Sequence, residues 1–196
     1  MCDLHTGICL ASMSYGGQQW ERAVDKLAFL PASAKRGSHP LLLGCGQDGL
    51  IKVWQLQLPL EVAAASEAVP RPSTTPCQTV IPAAAHAPGC EAHLVAELRA
   101  TQRGQDCITA VAVDAEGSRL ITGDSSGHVR VWDVGCIDVA AGPQAAAASF
   151  KVLARWRARE AAIVSAQHIP QRNLLLLASH DSSVSVWTLQ VGILWP

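Results

Sequence analysis

Three short segments of the chain, each ending in tryptophan, repeat one pattern of apolar and polar positions: Leu50-Ile51-Lys52-Val53-Trp54, His128-Val129-Arg130-Val131-Trp132 and Ser183-Val184-Ser185-Val186-Trp187. Aliphatic residues alternate with polar ones, the period of a β-strand with one face in a core and the other toward water. A second apolar run begins thirteen residues before each tryptophan, at 41–44, 119–122 and 174–177. The stretches between the paired runs, 46–49, 124–127 and 179–182, are rich in Gly, Asp and Ser, which accept tight-turn geometry, so each pair reads as a hairpin. A third strand is predicted ahead of each hairpin, over 24–30, 108–113 and 163–169, and a fourth after two of them, over 93–98 and 150–155. The pattern therefore predicts an all-β chain of about three antiparallel units, each four strands wide.

The tryptophans at 54, 132 and 187 stand 78 and 55 residues apart, further than four short strands need. The excess falls in two inserts placed between the third and fourth strands, where a loop lengthens at small entropic cost. Residues 59–90 hold six of the eleven prolines, and 135–149 contain an alanine tract at 145–148. Both are expected as flexible surface excursions, with a short helix the alternative, better suited to the second insert because it is poorer in proline. The repeat units are expected over 23–98, 108–155 and 162–190. They are preceded by an N-terminal segment, 1–22, that offers a candidate closing strand at 7–13, and followed by a tail, 191–196.

The runs Gly-Gln-Asp-Gly-Leu-Ile-Lys-Val-Trp at 46–54, Leu-Ile-Thr-Gly-Asp-Ser-Ser-Gly-His-Val-Arg-Val-Trp-Asp at 120–133 and Ala-Ser-His-Asp-Ser-Ser-Val-Ser-Val-Trp at 178–187 resemble WD repeats. The resemblance implies a partial β-propeller of about three four-stranded blades, an incomplete ring, because such rings generally hold about 4 to 8 blades. It further implies that each blade is held by a hydrogen-bonded set: a His before the first strand, a Ser or Thr, a turn Asp and the third-strand Trp. Trp54, Trp132 and Trp187 match, followed in the second unit by Asp133, as do the turn acids Asp48 and Asp181, whereas Ser126 stands at the turn position of the second unit. The His position holds Trp20, Gly104 and Arg159, and Arg159 is expected to pair with Asp181 in place of the missing contact. Trp156-Arg157-Ala158-Arg159 together with 179–189 is similar to the last blade of large WD-repeat proteins associated with cilia and flagella.

Composition narrows the function. Apolar residues make up 49% of the chain and charged ones 16%, with mean hydropathy +0.19, as in a packed domain. A formal charge of −1 gives no global field to draw nucleic acid or an anionic membrane. The seven cysteines, 2, 9, 45, 77, 90, 107 and 136, are odd in number and never spaced C-x-x-C, which points to a reducing, cytoplasmic setting. Neither a secretory leader, a myristoylation glycine nor an apolar run of membrane-spanning length is evident, so a soluble protein is expected.

Several motifs carry apparent chemistry. Gly123-Asp124-Ser125-Ser126-Gly127 fits the G-x-S-x-G elbow of serine hydrolases, with His128 and His168 as imaginable bases, yet the elbow needs a helix after it and here a strand is predicted. His86, Cys90 and His93 have donor atoms for zinc but no well-placed fourth ligand, so no metal and no cofactor is expected. No phosphate-binding glycine motif is present, which leaves nucleotide binding without support. Arg155-Trp156-Arg157-Ala158-Arg159 mixes basic and aromatic residues but is expected in a blade-to-blade link, with the indole packed and the guanidiniums solvated.

The expected function is accordingly a non-catalytic scaffold that binds proteins, from the resemblance a structural or assembly component of the ciliary or flagellar axoneme. An adaptor of another complex is the alternative, although Trp132-Asp133-Val134-Gly135 lacks the Arg that often follows in ligase-docking propellers. A truncated propeller without independent activity and a hydrolase using Ser125 are further alternatives. The expected partners are other proteins, axonemal ones among them, and a second copy of the chain that completes the ring.

Overall fold

The computed structural model describes residues 24–32, 40–57, 91–101, 106–140 and 142–189. Three antiparallel sheets form in chain order. The first contains β1 (Val24–Leu30), β2 (Leu41–Gly46), β3 (Leu50–Gln57) and β4 (Glu91–Arg99). The second contains β5 (Ile108–Val113), β6 (Arg119–Asp124), β7 (His128–Asp133) and β8 (Lys151–Arg157). The third contains β9 (Ile163–Ile169), β10 (Leu174–Ser179) and β11 (Val184–Thr188). In each sheet consecutive strands are neighbours, giving blades of 4, 4 and 3 strands. A fourth strand of the third blade, the candidate closing strand at 7–13, the N-terminal segment 1–22, the insert 59–90 and the tail 191–196 lie outside the described residues.

The blades stack face to face. Each has a leading face, which carries the tryptophan and looks toward the preceding blade, and a trailing face toward the next. Leu41, Leu43, Cys45, Ile51 and Val53 on the trailing face of blade 1 meet Ile108, Leu120 and Trp132 on the leading face of blade 2 in one buried cluster. Ala110, Ile121, Val129 and Val131 on the trailing face of blade 2 meet Ile163, Leu175, Leu177 and Trp187 of blade 3 in the other. Thr109 ties the second junction by donating its hydroxyl to the Ile163 carbonyl at 2.6 Å.

This stacking corrects the reading of the strands as half-buried. Along β3 and β7 the residues at 51–54 and 129–132 are all buried, so water is excluded from both sides of these two strands. Of the three strands that carry the repeated tryptophan, only β11 shows alternation, and in the inverse sense: the valines are exposed and the residues between them are half-buried.

The second insert departs from the flexible excursion expected of 135–149. Residues 143–148 form a helix, α1 (Pro143–Ala148), with proline in its first turn, where the missing N–H costs nothing. The helix packs against β4. Val134, Ile137, Ala146 and Phe150 join the cluster between blades 1 and 2, and that apolar burial holds the segment down. No helix among the described residues is long and apolar enough to cross a membrane.

The β2–β3 and β6–β7 turns each place a glycine in the left-handed region, Gly49 at φ 67° and Gly127 at φ 80°. A Cβ on Gly127 would lie 2.1 Å from the Arg159 carbonyl oxygen, because the link to blade 3 crosses directly over the turn. Ser182 takes the corresponding place in blade 3 at φ 63°. Gly127→Ala is therefore expected to destabilise the chain by at least about 2 kcal/mol, combining backbone strain with a collision against main chain. Ser182→Gly should cost nothing by comparison; equal urea midpoints for Gly127→Ala and the parent would refute the crossing.

Candidate interaction face

The three hairpin turns and the described ends of the two blade-to-blade links are hydrogen-bonded into one ridge. Ala100, at the start of the first link, donates its N–H to Gly49 O at 2.9 Å. The far end of that link reaches the next turn: Ser125 N donates to Cys107 O at 3.0 Å, and Cys107 N donates to Ser125 Oγ at 3.1 Å. The second link repeats the stitch, with Ala158 N on Gly127 O and His180 N on Ala162 O, both at 2.9 Å. Each link is thus bound to the turn behind it and the turn ahead, which fixes the spacing of the turns.

Carboxylates organise the turns. Asp48 accepts the Leu50 N–H at 3.1 Å and pairs with Lys52. In blade 2 the turn acid is Asp124, two residues before the position that repeat counting assigns to Ser126. Its Oδ1 accepts from Ser126 N at 3.0 Å and His128 N at 2.9 Å, and its Oδ2 accepts from Arg130 at 3.2 Å. Lys52 and Arg130 occupy the same place, two before the tryptophan, and are only 1% and 4% exposed. Cations at such depth persist because a carboxylate of the same blade pairs with them. Ser126 serves the link instead, since its hydroxyl donates to Asp106 Oδ1 at 2.6 Å and anchors the incoming chain. Asp106, Asp124, Thr122, Lys52 and Arg130 are functional positions that the sequence pattern alone does not single out. The signal available is the basic residue that recurs before Val-Trp in two repeats.

The three indoles are held differently. Trp132 donates Nε1–H to Thr122 Oγ1 at 3.0 Å, the Ser/Thr contact that the resemblance implies. Trp187 donates to Ser185 of its own strand at 2.9 Å and packs against Trp156, with ring centroids 5.5 Å apart. Trp54 lies against Gly44, where an added Cβ would come within 2.5 Å of the ring. Asp133 accepts from Gly135 N at 3.0 Å and shapes the exit from β7.

Asp181 is exposed and is bound by Ser183, whose N–H and hydroxyl both donate to it. The Ser183 hydroxyl is the main cause that holds its carboxyl below the usual range, with Arg159 contributing only as a nearby charge. The expected hydrogen-bonded pair is therefore replaced by a local turn contact, and Arg159 Nε is buried without a hydrogen-bond partner among the described residues. Trp20 and Gly104 lie outside the described residues. Arg155, Trp156 and Arg157 belong to β8 rather than to the link, which starts at Ala158.

The candidate chemistry dissolves on inspection of its surroundings. Ser125 sits in a strand–turn–strand, with β7 starting at His128 where a hydrolase elbow requires a helix. His168 lies on β9 against Asn173, at 3.4 Å. Of the residues weighed for zinc, His86 and Cys90 lie outside the described residues and His93 stands on β4 opposite Gln55. No cluster of metal-ligating residues occurs among the described residues. Burial pushes the Cys45 thiol up to about 12, with the Asp48 charge adding to the effect and Lys52 opposing it.

Flat antiparallel blades stacked in chain order and stitched by turn and link define the class: the fold is that of a β-propeller. Residues 96–133 match the family described as "WD domain, G-beta repeat". The match runs from β4 of blade 1 through β7 of blade 2, so this segment is similar to a WD repeat. Among solved structures, the chain is similar to the β-propeller domain of Cps50 (Swd1) from Myceliophteria thermophila, with 12% identity and TM-score 0.58, over 96% of this chain and 46% of that one. It is also similar to the C-terminal WD40 domain of Sif2, with 12% identity and TM-score 0.50, over 85% of this chain and 34% of that one. The chain thus spans less than half the length of either. No curated protein matches it.

Asp124→Ala leaves the Arg130 guanidinium buried without its carboxylate and is expected to cost about 3–5 kcal/mol in urea denaturation. Asp181→Ala, at an exposed turn, should shift the midpoint far less; the reverse order would overturn this assignment of weight. Alkylation with iodoacetamide at about pH 8 should label exposed Cys136 in the native chain and reach Cys45 only after unfolding, since the thiolate is the reacting form. Peptide mapping that finds Cys45 labelled as early as Cys136 would contradict its burial.

Proposed function

We propose that the chain is a non-catalytic scaffold that binds other proteins through its ridge of turns and links, and that it works in the axoneme of cilia or flagella. The observation that carries the first part is the stitching of successive turns: it presents side chains from three blades at fixed spacing. Arg99, Arg157, His180 and Asp181 are exposed along that ridge, while Asp48 and Asp124 are spent on internal contacts. A rigid surface of mixed charge loses little entropy when it docks, and it selects partners by complementarity rather than by net field.

The axonemal part rests on the resemblance of 156–159 together with 179–189 to the last blade of cilia-associated WD-repeat proteins, and it carries the expectation of a cytoplasmic, ciliary location with it. Binding as an adaptor in some other complex uses the same ridge and is the competing reading. Co-sedimentation of the purified chain with demembranated axonemes separates the two. Saturable binding that Arg99→Glu combined with Arg157→Glu weakens about tenfold or more is the expected result. A chain that remains in the supernatant would refute the axonemal reading, and covalent labelling of Ser125 by a fluorophosphonate would refute the non-catalytic one.

A further inference from the structure

We propose that the partner carried by the turn ridge is an acidic peptide segment, whose carboxylates bind Arg99 and Arg157 as it crosses the turns of blades 1 and 2. The inference rests on the reading of that ridge as a protein-binding surface and names what the surface selects. Arg99 and Arg157 are the last residues of β4 and β8, the fourth strands of the two blades. They hold one register position, Arg99 opposite Leu50 and Arg157 opposite His128, the first residues of β3 and β7. Each donates to the main chain of its own blade's turn, Arg99 Nη1 to Asp48 O at 3.3 Å and Arg157 Nε to Ser126 O at 3.4 Å. Both carbonyls belong to the residue two places ahead of the third strand, so the contact recurs in register.

A neutral carbonyl takes one N–H of a guanidinium that has five, so the bond orients the fork and leaves its charge uncompensated. Both arginines are exposed. The carboxylates nearest the turns are already committed: Asp48 pairs with Lys52, Asp124 with Arg130, and Asp106 accepts from Ser126. Among the described residues no acid pairs with Arg99 or Arg157. Glu97 and Arg155 occupy matched places on β4 and β8, opposite Lys52 and Arg130. Asp25 stands on the inner strand β1, and the exposed acids Glu160 and Asp181 follow Arg157 toward blade 3. The outer ends of the first two turns therefore carry an excess of positive charge.

A guanidinium held in one orientation matches a carboxylate through two parallel N–H bonds, which the point charge of a lysine does not reproduce. Stacked sheets lie roughly 10 Å apart, a span that an extended chain covers in about three residues, so a short acidic run reaches both arginines at once. Once the first carboxylate is bound, the second contact is intramolecular and adds affinity without a second loss of translational freedom. The formal charge of the whole chain is only −1, so the selection comes from these two positioned groups and not from a net field.

Fluorescence anisotropy of a labelled deca-glutamate peptide, titrated with the full chain at low ionic strength, should report saturable binding that weakens as salt is added. Arg99→Glu alone and Arg157→Glu alone should each raise the Kd about tenfold or more. Arg99→Lys combined with Arg157→Lys keeps the charge but loses the fork, and should still weaken binding about threefold or more. Arg172→Glu makes the same change of net charge in the 170–172 turn between β9 and β10, at the other end of its blade, and should leave the Kd as it is. Far-UV circular dichroism should match the parent for all four, since every substituted side chain is exposed. Absence of binding, a loss as large in Arg172→Glu as in Arg157→Glu, or a double lysine variant that binds like the parent would overturn the proposal. The two readings fail separately. Axoneme binding that is sensitive to the double charge reversal but that deca-glutamate does not compete away would remove the acidic partner and leave the ridge in place; peptide binding by a chain that stays in the supernatant would support the acidic partner and remove the axonemal one.

Discussion

A sheet of four strands has two faces and no interior, so a blade buries its apolar side chains only by being covered. Every other feature of this chain follows from that constraint. Blade 1 presents Leu41, Leu43, Ile51 and Val53 on one side, and blade 2 answers with Leu120, Trp132 and the residues of the α1 segment. Blade 2 in turn is covered by Leu175, Leu177 and Trp187. The stabilisation grows with the area removed from water at each junction, roughly 25 cal/mol per Å² of apolar surface. A repeat of this kind is quasi-one-dimensional: each unit is made stable by its neighbour.

Cover on both faces also changes what a polar residue costs. Lys52 and Arg130 stand where an ordinary surface strand would point them into water, yet here they are enclosed. Asp48 and Asp124 offset that cost with a paired charge, and the same carboxylates accept the turn N–H groups that no strand can reach. The buried pair and the turn are therefore one device: it fixes the hairpin end and delivers it to the link. Because each link is bound at both ends, the ridge inherits the register of the blades beneath it. That inheritance makes an interaction surface out of residues remote in sequence.

The strands are legible in the sequence because their period, their turn residues and the tryptophan marker agree, and all eleven observed strands overlap the predicted ones. The side that each residue faces is less legible. Alternation reports a contrast between two environments, and along β3 and β7 both environments are protein. Val-Arg-Val-Trp at 129–132 and Val-Ser-Val-Trp at 184–187 look alike in sequence, but the first is buried throughout and the second exposes both valines. Counting from Trp132 leads to Ser126 as the turn position, whereas Asp124 takes the acid's role from two residues earlier, because a carboxylate reaches the same N–H groups from either end of a tight turn. The alanine tract reads as mobile because alanine alone says little about packing. Ile137 and Phe150, on either side of it, hold the segment in place.

The tryptophans show which part of the arrangement is primary. Trp132 is bonded to Thr122 across the strand pair, Trp187 to Ser185 on its own strand, and Trp54 rests on Gly44. Were the hydrogen bond what positions the indole, three different settings would be expected to give three different blades. The blades instead share strand order and register, with a bulge beside Trp54 and Trp132 alike. A buried N–H gains little net from its bond but loses much if left without one, so each blade needs some acceptor and has wide freedom in which. The indole is placed by the apolar surface it covers, and in blades 2 and 3 the polar contact is supplied by a side chain within reach, Thr122 or Ser185.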